Sequence, residues 1–118
     1  MVDLSQLSEA EREALVAQVR EILVRVLDPE KIILFGSVAE GRPTRGTDLD
    51  LLVVQETGAP FVKRGVEARL ALMDLAVPID LLVYTPAEFE QRARQPGSFT
   101  HSVAARGRVL YERDRRAA

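Results

Sequence analysis

Two aspartates, Asp48 and Asp50, stand one residue apart at the head of an apolar run, Asp48 to Gln55. Aspartate is depleted from strands, yet "LLVV" directly after Asp50 is strand material. Side chains of a strand alternate faces, so both carboxylates point the same way, with α-carbons about 6.5–7 Å apart at a rise of roughly 3.3 Å per residue. Two such charges about 5 Å apart, at an effective dielectric near 20, repel by about 3 kcal/mol. A cation bound between them would relieve it; the alternative is that the pair is a solvated turn or cap.

Helices and strands alternate around that run. Ser8-Glu9-Ala10-Glu11 reads as a capping box. Leu15, Val19, Ile22 and Val26 recur at helical spacing, with Val16, Leu23 and Leu27 widening the stripe. The spacing predicts a helix over about 9–27, ended by Asp28-Pro29. Lys31 to Phe35 is a β-branched strand stopped by Gly36, followed by one helical turn over Val38 to Gly41 and a loop from Arg42 to Thr47. After the connector Thr57 to Pro60, a helix is expected to bury Val62, Val66, Leu70 and Met73. Pro78 precedes a third strand, Ile79 to Tyr84, which carries Asp80. Thr85-Pro86-Ala87-Glu88 opens a helix to about Arg94. Pro96-Gly97 breaks it, Ser98 caps a short helix through Arg106, and Arg108 to Tyr111 forms a last strand. The pattern predicts an α/β layer fold, helices packed on a small mixed sheet, in a single domain over 1–118.

Composition narrows the classes of function. With 16 basic and 18 acidic residues among 118, the chain lacks the basic excess of a protein that holds nucleic acid by bulk charge. No cysteine is present, which excludes disulfides and thiolate metal sites and fits a reducing, cytoplasmic setting. The start, "MVDLSQLSEAEREALV", lacks the basic-then-apolar order of a signal peptide. No apolar run approaches the roughly 20 residues of a membrane span.

The acids and the Gly36-Ser37 turn carry the chemistry. Two carboxylates at this spacing can bracket a pair of divalent ions, the arrangement of two-metal phosphoryl transfer. Asp80 completes the cluster if the third strand neighbours the second. All-oxygen ligation suits Mg²⁺ or Mn²⁺ rather than zinc. Gly36-Ser37, ending a strand before a helical turn, offers backbone N–H groups and a hydroxyl to an anion, and glycine lets a phosphate approach the backbone. Phosphate donors at one end and metal-binding acids at the other describe a nucleoside-triphosphate site.

Gly36-Ser37 with Asp48-Leu49-Asp50-Leu51 resembles the signature of the DNA polymerase β-like nucleotidyltransferase superfamily. The short chain resembles its minimal branch, the antitoxin-type partners of HEPN ribonuclease toxins. The likeness runs from about Glu30 to Glu112 and includes the closing "RGRVLYE". It implies the polymerase β-like fold, with Asp48 and Asp50 holding both metals and the triphosphate. Asp80 would help bind the catalytic metal and activate the acceptor hydroxyl, and Gly36 and Ser37 would hold the triphosphate. Arginines often found two and four positions after the glycine are here Val38 and Glu40, and Arg42 and Arg45 are the substitutes offered by the following loop. The implied activity is transfer of AMP from ATP to a hydroxyl, a tyrosine of the partner toxin. The sequence stops where the family's core stops, so the acceptor is expected on a separate polypeptide or at a homo- or hetero-oligomer interface. The alternatives are an antitoxin that inhibits by covering its partner, and a stand-alone transferase for a small molecule such as an aminoglycoside.

Three features are set apart from the site. His101 lies far in sequence from the acids and reads as a surface residue. Its six-residue separation from Arg94 mimics the Arg-to-His spacing of helical ribonucleases, but Pro96-Gly97 falls inside the interval. Tyr111 reads as a packed strand aromatic, and Arg113 to Arg116 as a frayed tail.

Overall fold

The computed structural model describes residues 1–114. Helix α1, Glu9–Leu27, begins at the capping box: the Ser8 hydroxyl accepts from the Glu11 N–H and the Glu11 carboxylate accepts from the Ser8 N–H. Strand β1, Lys31–Phe35, leads through the short helix α2, Gly36–Ala39, into β2, Leu49–Val54. Helix α3, Val66–Leu72, precedes β3, Ile79–Tyr84. Helices α4, Pro86–Ala93, and α5, Phe99–Arg106, then lead to β4, Arg108–Glu112.

The strands form one sheet in the order β3-β2-β1-β4. Strand β1 is antiparallel to both β2 and β4, while β2 and β3 are parallel. The sheet is therefore mixed, as expected, and the third strand does neighbour the second. A register shift between Ile32 and Ile33 interrupts the β1–β4 pairing.

Alternation divides the sheet between two cores. Ile32, Leu34, Leu49, Leu51, Val53, Leu81 and Val83 face α1 and α3 and meet Val16, Val19, Leu23 and Leu27. Ile33, Leu52, Val54 and Tyr84 face the other way, under α4 and α5, with Val103. Strand β2 is buried on both faces from Leu51 to Val54, which explains its run of four apolar residues. The exception at its start is Asp50.

Helix α3 departs from expectation. Val62, Val66, Leu70 and Met73 do not pack into the core: Val62 is 83% exposed, Leu70 63% and Met73 69%. Gly65, Ala68 and Leu72 face inward instead. The approach is close, since a β-carbon at Gly65 would stand 3.1 Å from side-chain atoms of Leu81 and Val83. Gly65, Ala68 and Leu72 therefore define the inner face, and Val66, Leu70 and Met73 are turned outward. Residues 61–63 form a separate 3₁₀ turn, and Gly65, in the left-handed region at φ +76°, resets the chain before α3.

At the far end of the chain, Arg113 is anchored. Its backbone N–H donates to Glu30 O, and its guanidinium donates to Asp28 O at 2.7 Å and pairs with the Asp28 carboxylate. It is not part of a frayed tail, and Arg115 and Arg116 lie outside the described residues. Tyr111 packs against the α1 side of the core beneath the Arg20 guanidinium.

Candidate active site

Strand pairing assembles the site from three separate segments. Asp50 stands beside Asp80 across the parallel β2–β3 ladder and beside Phe35 across the antiparallel β1–β2 ladder. Side chains directly opposite one another share a face. Phe35, Asp50 and Asp80 thus form a row across the sheet, on the side of α4 and α5 but beyond the apolar cluster those helices cover. Asp48, two residues earlier, lies just ahead of β2, near enough for its charge to act on Asp50.

Asp50 feels the crowding. Burial pushes its carboxyl above the ordinary aspartate range, and the charges of Asp80 and Asp48 push it further. Each influence disfavours the ionised form, and a cation would reverse the balance. The donor set, three carboxylates and no nitrogen or sulfur, fits a hard divalent ion. Among the described residues no three acidic or histidine side chains are gathered into a ready-made metal cage.

Gly36 sits against the acids. Its φ is +78°, and a β-carbon there would collide with Asp50 Oδ2. Glycine is required twice over, by backbone conformation and by space. The α2 turn that follows starts with N–H groups that have no acceptor within the helix, as at any helix start. The loop is folded back on this turn. Ser37 Oγ donates to Thr47 Oγ1 at 3.3 Å, Thr47 Oγ1 also accepts from the Thr44 N–H at 2.9 Å, and the Arg42 N–H donates to Ser37 O at 2.9 Å. These bonds tie the phosphate-binding candidate Ser37 to the residue preceding Asp48.

Gly36, Asp48, Asp50 and Asp80 are brought together, with Ser37 in the adjoining turn. The two loop arginines are not directed at the acids: the Arg42 guanidinium pairs with Glu40 at 3.4 Å, and Arg45 contributes charge near Asp3. His101 is exposed, with Nδ1 2.8 Å from Ala93 O. Two residues escape sequence reasoning. Thr47 is the clamp of the loop, hidden because a threonine in a polar loop carries no pattern. Phe35 neighbours Asp50, and only the β1–β2 register reveals it. A larger cavity of about 670 Å³ lies at the opposite end of the sheet, lined in part by Glu30, Phe89 and Glu112, and contains none of these residues.

The fold has counterparts among solved structures. A crystal structure of a toxin-antitoxin with AMP-PNP superposes with a TM-score of 0.57 at 18% identity, covering 93% of this chain and 77% of that one. A mutant of the toxin-antitoxin MntA-HpeT superposes with a TM-score of 0.53 at 16% identity and the same coverages. No curated protein matches the chain significantly. Residues 17–116 match the polymerase β nucleotidyltransferase family, a span that contains all four strands and all three acids, and the chain belongs to that family.

Proposed function

We propose that the protein transfers a nucleoside monophosphate, AMP from ATP, to a hydroxyl of a protein partner, a tyrosine of a HEPN-type toxin, and so acts as an antitoxin. One observation carries the reading: Gly36 lies against Asp50, and Asp80 stands abreast of it. A phosphate-accepting turn and a carboxylate row therefore meet at one point. Asp48, Asp50 and Asp80 would hold Mg²⁺ or Mn²⁺, which neutralises the triphosphate and lowers the pKa of the attacking hydroxyl. Gly36 and Ser37 would receive the phosphates, with Arg42 and Arg45 able to swing from the exposed loop toward them. The acceptor oxygen bonds to the α-phosphorus, the bond to the pyrophosphate oxygen breaks, and the hydroxyl proton passes to Asp80.

A protein acceptor is favoured by the outward apolar face of α3. Exposed patches of this kind mark interaction surfaces. A mainly apolar groove of about 510 Å³, lined by Leu72, Met73, Val77 and Ile79, runs from that face to Asp48. The same surface supports a second reading, inhibition by covering the partner with the acids idle.

Thermal melting with each of ATP, GTP, CTP and UTP, with and without Mg²⁺, tests the site. The expected result is a Mg²⁺-dependent rise with ATP that is absent in Asp48→Asn/Asp50→Asn. No shift with any nucleotide at millimolar concentration would remove the catalytic reading for the isolated chain. If the double variant still neutralises the toxin on co-expression, covering is sufficient.

A further inference from the structure

Between α2 and α5 lies a cavity of about 210 Å³ whose lining includes Phe35, Gly36, Phe99, Ser102 and Arg106. It opens beside the acids, because Gly36 contributes to both and Phe35 is the cross-strand neighbour of Asp50. Phe99, Ser102 and Arg106 recur at helical spacing, so α5 presents an aromatic ring, a hydroxyl and a guanidinium along one face. Phe99 meets Phe35 edge to face, with ring centroids 5.4 Å apart and planes at 79°. That contact leaves Phe99 49% exposed. Among the described residues Arg106 has no hydrogen-bond or ion-pair partner. Its backbone is nevertheless held firmly: a β-carbon at the next residue, Gly107, would collide with the Ile33 side chain and with Val103 O.

We propose that this cavity is the nucleoside subsite of the protein: the nucleobase packs on Phe99 and Phe35, and Arg106 supplies positive charge to the triphosphate lying on Gly36. The proposal rests on the nucleotidyltransferase reading above. It answers the charge deficit left by Val38 and Glu40, since the unpaired cation arrives from α5 rather than from the Gly-Ser turn. Glu40, the anion that also lines the cavity, is drawn toward Arg42. Stacking on an aromatic face tolerates any base, because every base has a π-face. The site is therefore expected to select for a nucleoside triphosphate, with purines ahead of pyrimidines by stacking area.

Titration calorimetry of the full chain with Mg·ATP and with Mg·tripolyphosphate separates the two halves of the subsite. Phe99→Ala should weaken Mg·ATP by about tenfold, the lower range of a lost base–aromatic stack, while changing Mg·tripolyphosphate by less than about twofold. Phe99→Tyr should restore ATP binding. Arg106→Gln should weaken both ligands. Because Phe99 is half-exposed and Arg106 is unpaired, melting temperatures of all three variants should stay near wild type. If the wild type binds Mg·ATP and both Phe99→Ala and Arg106→Gln bind it equally well, the subsite is wrong while the nucleotide reading stands. If Phe99→Ala loses ATP and tripolyphosphate alike, the base does not pack there. If the wild type binds neither ligand, both readings fall.

Discussion

Asp50 is held in a position that opposes its own charge. Its carboxyl lies partly buried between Asp48 and Asp80, against the backbone of Gly36. The native state therefore binds a proton more readily than the unfolded chain does. Without metal, that residue's contribution to stability falls as pH rises from the ordinary aspartate range through its raised native value. At neutral pH, Asp50→Asn is expected to raise the melting temperature of the metal-free protein while removing any Mg²⁺-nucleotide shift. A melting comparison in EDTA and in Mg·ATP reads both effects, and a fall in EDTA would contradict this account. Gly36 makes the opposite case. Gly36→Ala forces a side chain into a left-handed backbone and onto the Asp50 carboxylate, with a loss of about 1–3 kcal/mol in urea denaturation. Full stability in that variant would show that the turn relaxes easily.

Among the elements, α3 and β3 show how packing overrides periodicity. Strand β3 is an edge, and a parallel edge leaves outward carbonyls free to pair with another chain. Here two arginines occupy them: Arg69 donates to Leu81 O at 2.7 Å and Arg64 to Val83 O at 3.2 Å. Arg64 also donates to Ala59 O and forms a two-pronged pair with Glu88, whose carboxylate accepts from the Thr85 N–H. One guanidinium thus joins the connector before α3, the edge of the sheet and the start of α4. Gly65 lets the chain pass close to this edge, while α3 itself packs mainly on α1 with Ala68 and Leu72 buried, and Val66, Leu70 and Met73 turn outward. Leu70→Lys and Met73→Lys are accordingly expected to leave the urea midpoint within about 0.5 kcal/mol of wild type. Ala68→Leu should cost about 1–3 kcal/mol by overpacking. A large loss from Leu70→Lys would mean that the apolar face of α3 is covered after all.

Over the whole molecule, acid stability reflects carboxylates tied to specific donors. The Arg64 guanidinium, with the Thr85 N–H, holds Glu88 down to about 2, and Asp3, Glu11 and Glu13 are lowered by their own hydrogen bonds. For each, the stabilising contribution is complete above the ordinary carboxylate pKa and is lost as pH falls through the native one. The urea midpoint should therefore decline from about pH 4.5 toward pH 2, with a shallower decline in Glu88→Gln, which has no proton to take up there. Identical slopes would show that the Arg64 pair does not contribute.

The sequence by itself determined most of the elements and the spacing of the acids. Both capping boxes, the Pro96-Gly97 break and the apolar strands are local, because caps, proline geometry and strand alternation act within a few residues. The Asp-x-Asp spacing is local too, so Asp48 and Asp50 are close before any fold is known, although β2 itself begins only at Leu49. Other features depended on partners distant in sequence. The pairing of Asp80 with Asp50 needed the parallel β2–β3 register, and the place of Phe35 beside them needed the antiparallel β1–β2 register. The exposed face of α3 could not be read from periodicity, because helical spacing reports that two faces differ, not which one meets the core. That was decided by where α3 docks: Gly65 fits closely against Leu81 and Val83, and α3 packs on α1 with Ala68 and Leu72 buried. Likewise Phe99 and Arg106 are ordinary residues of a short helix until Gly107 seats its end on β1, where close packing permits no side chain.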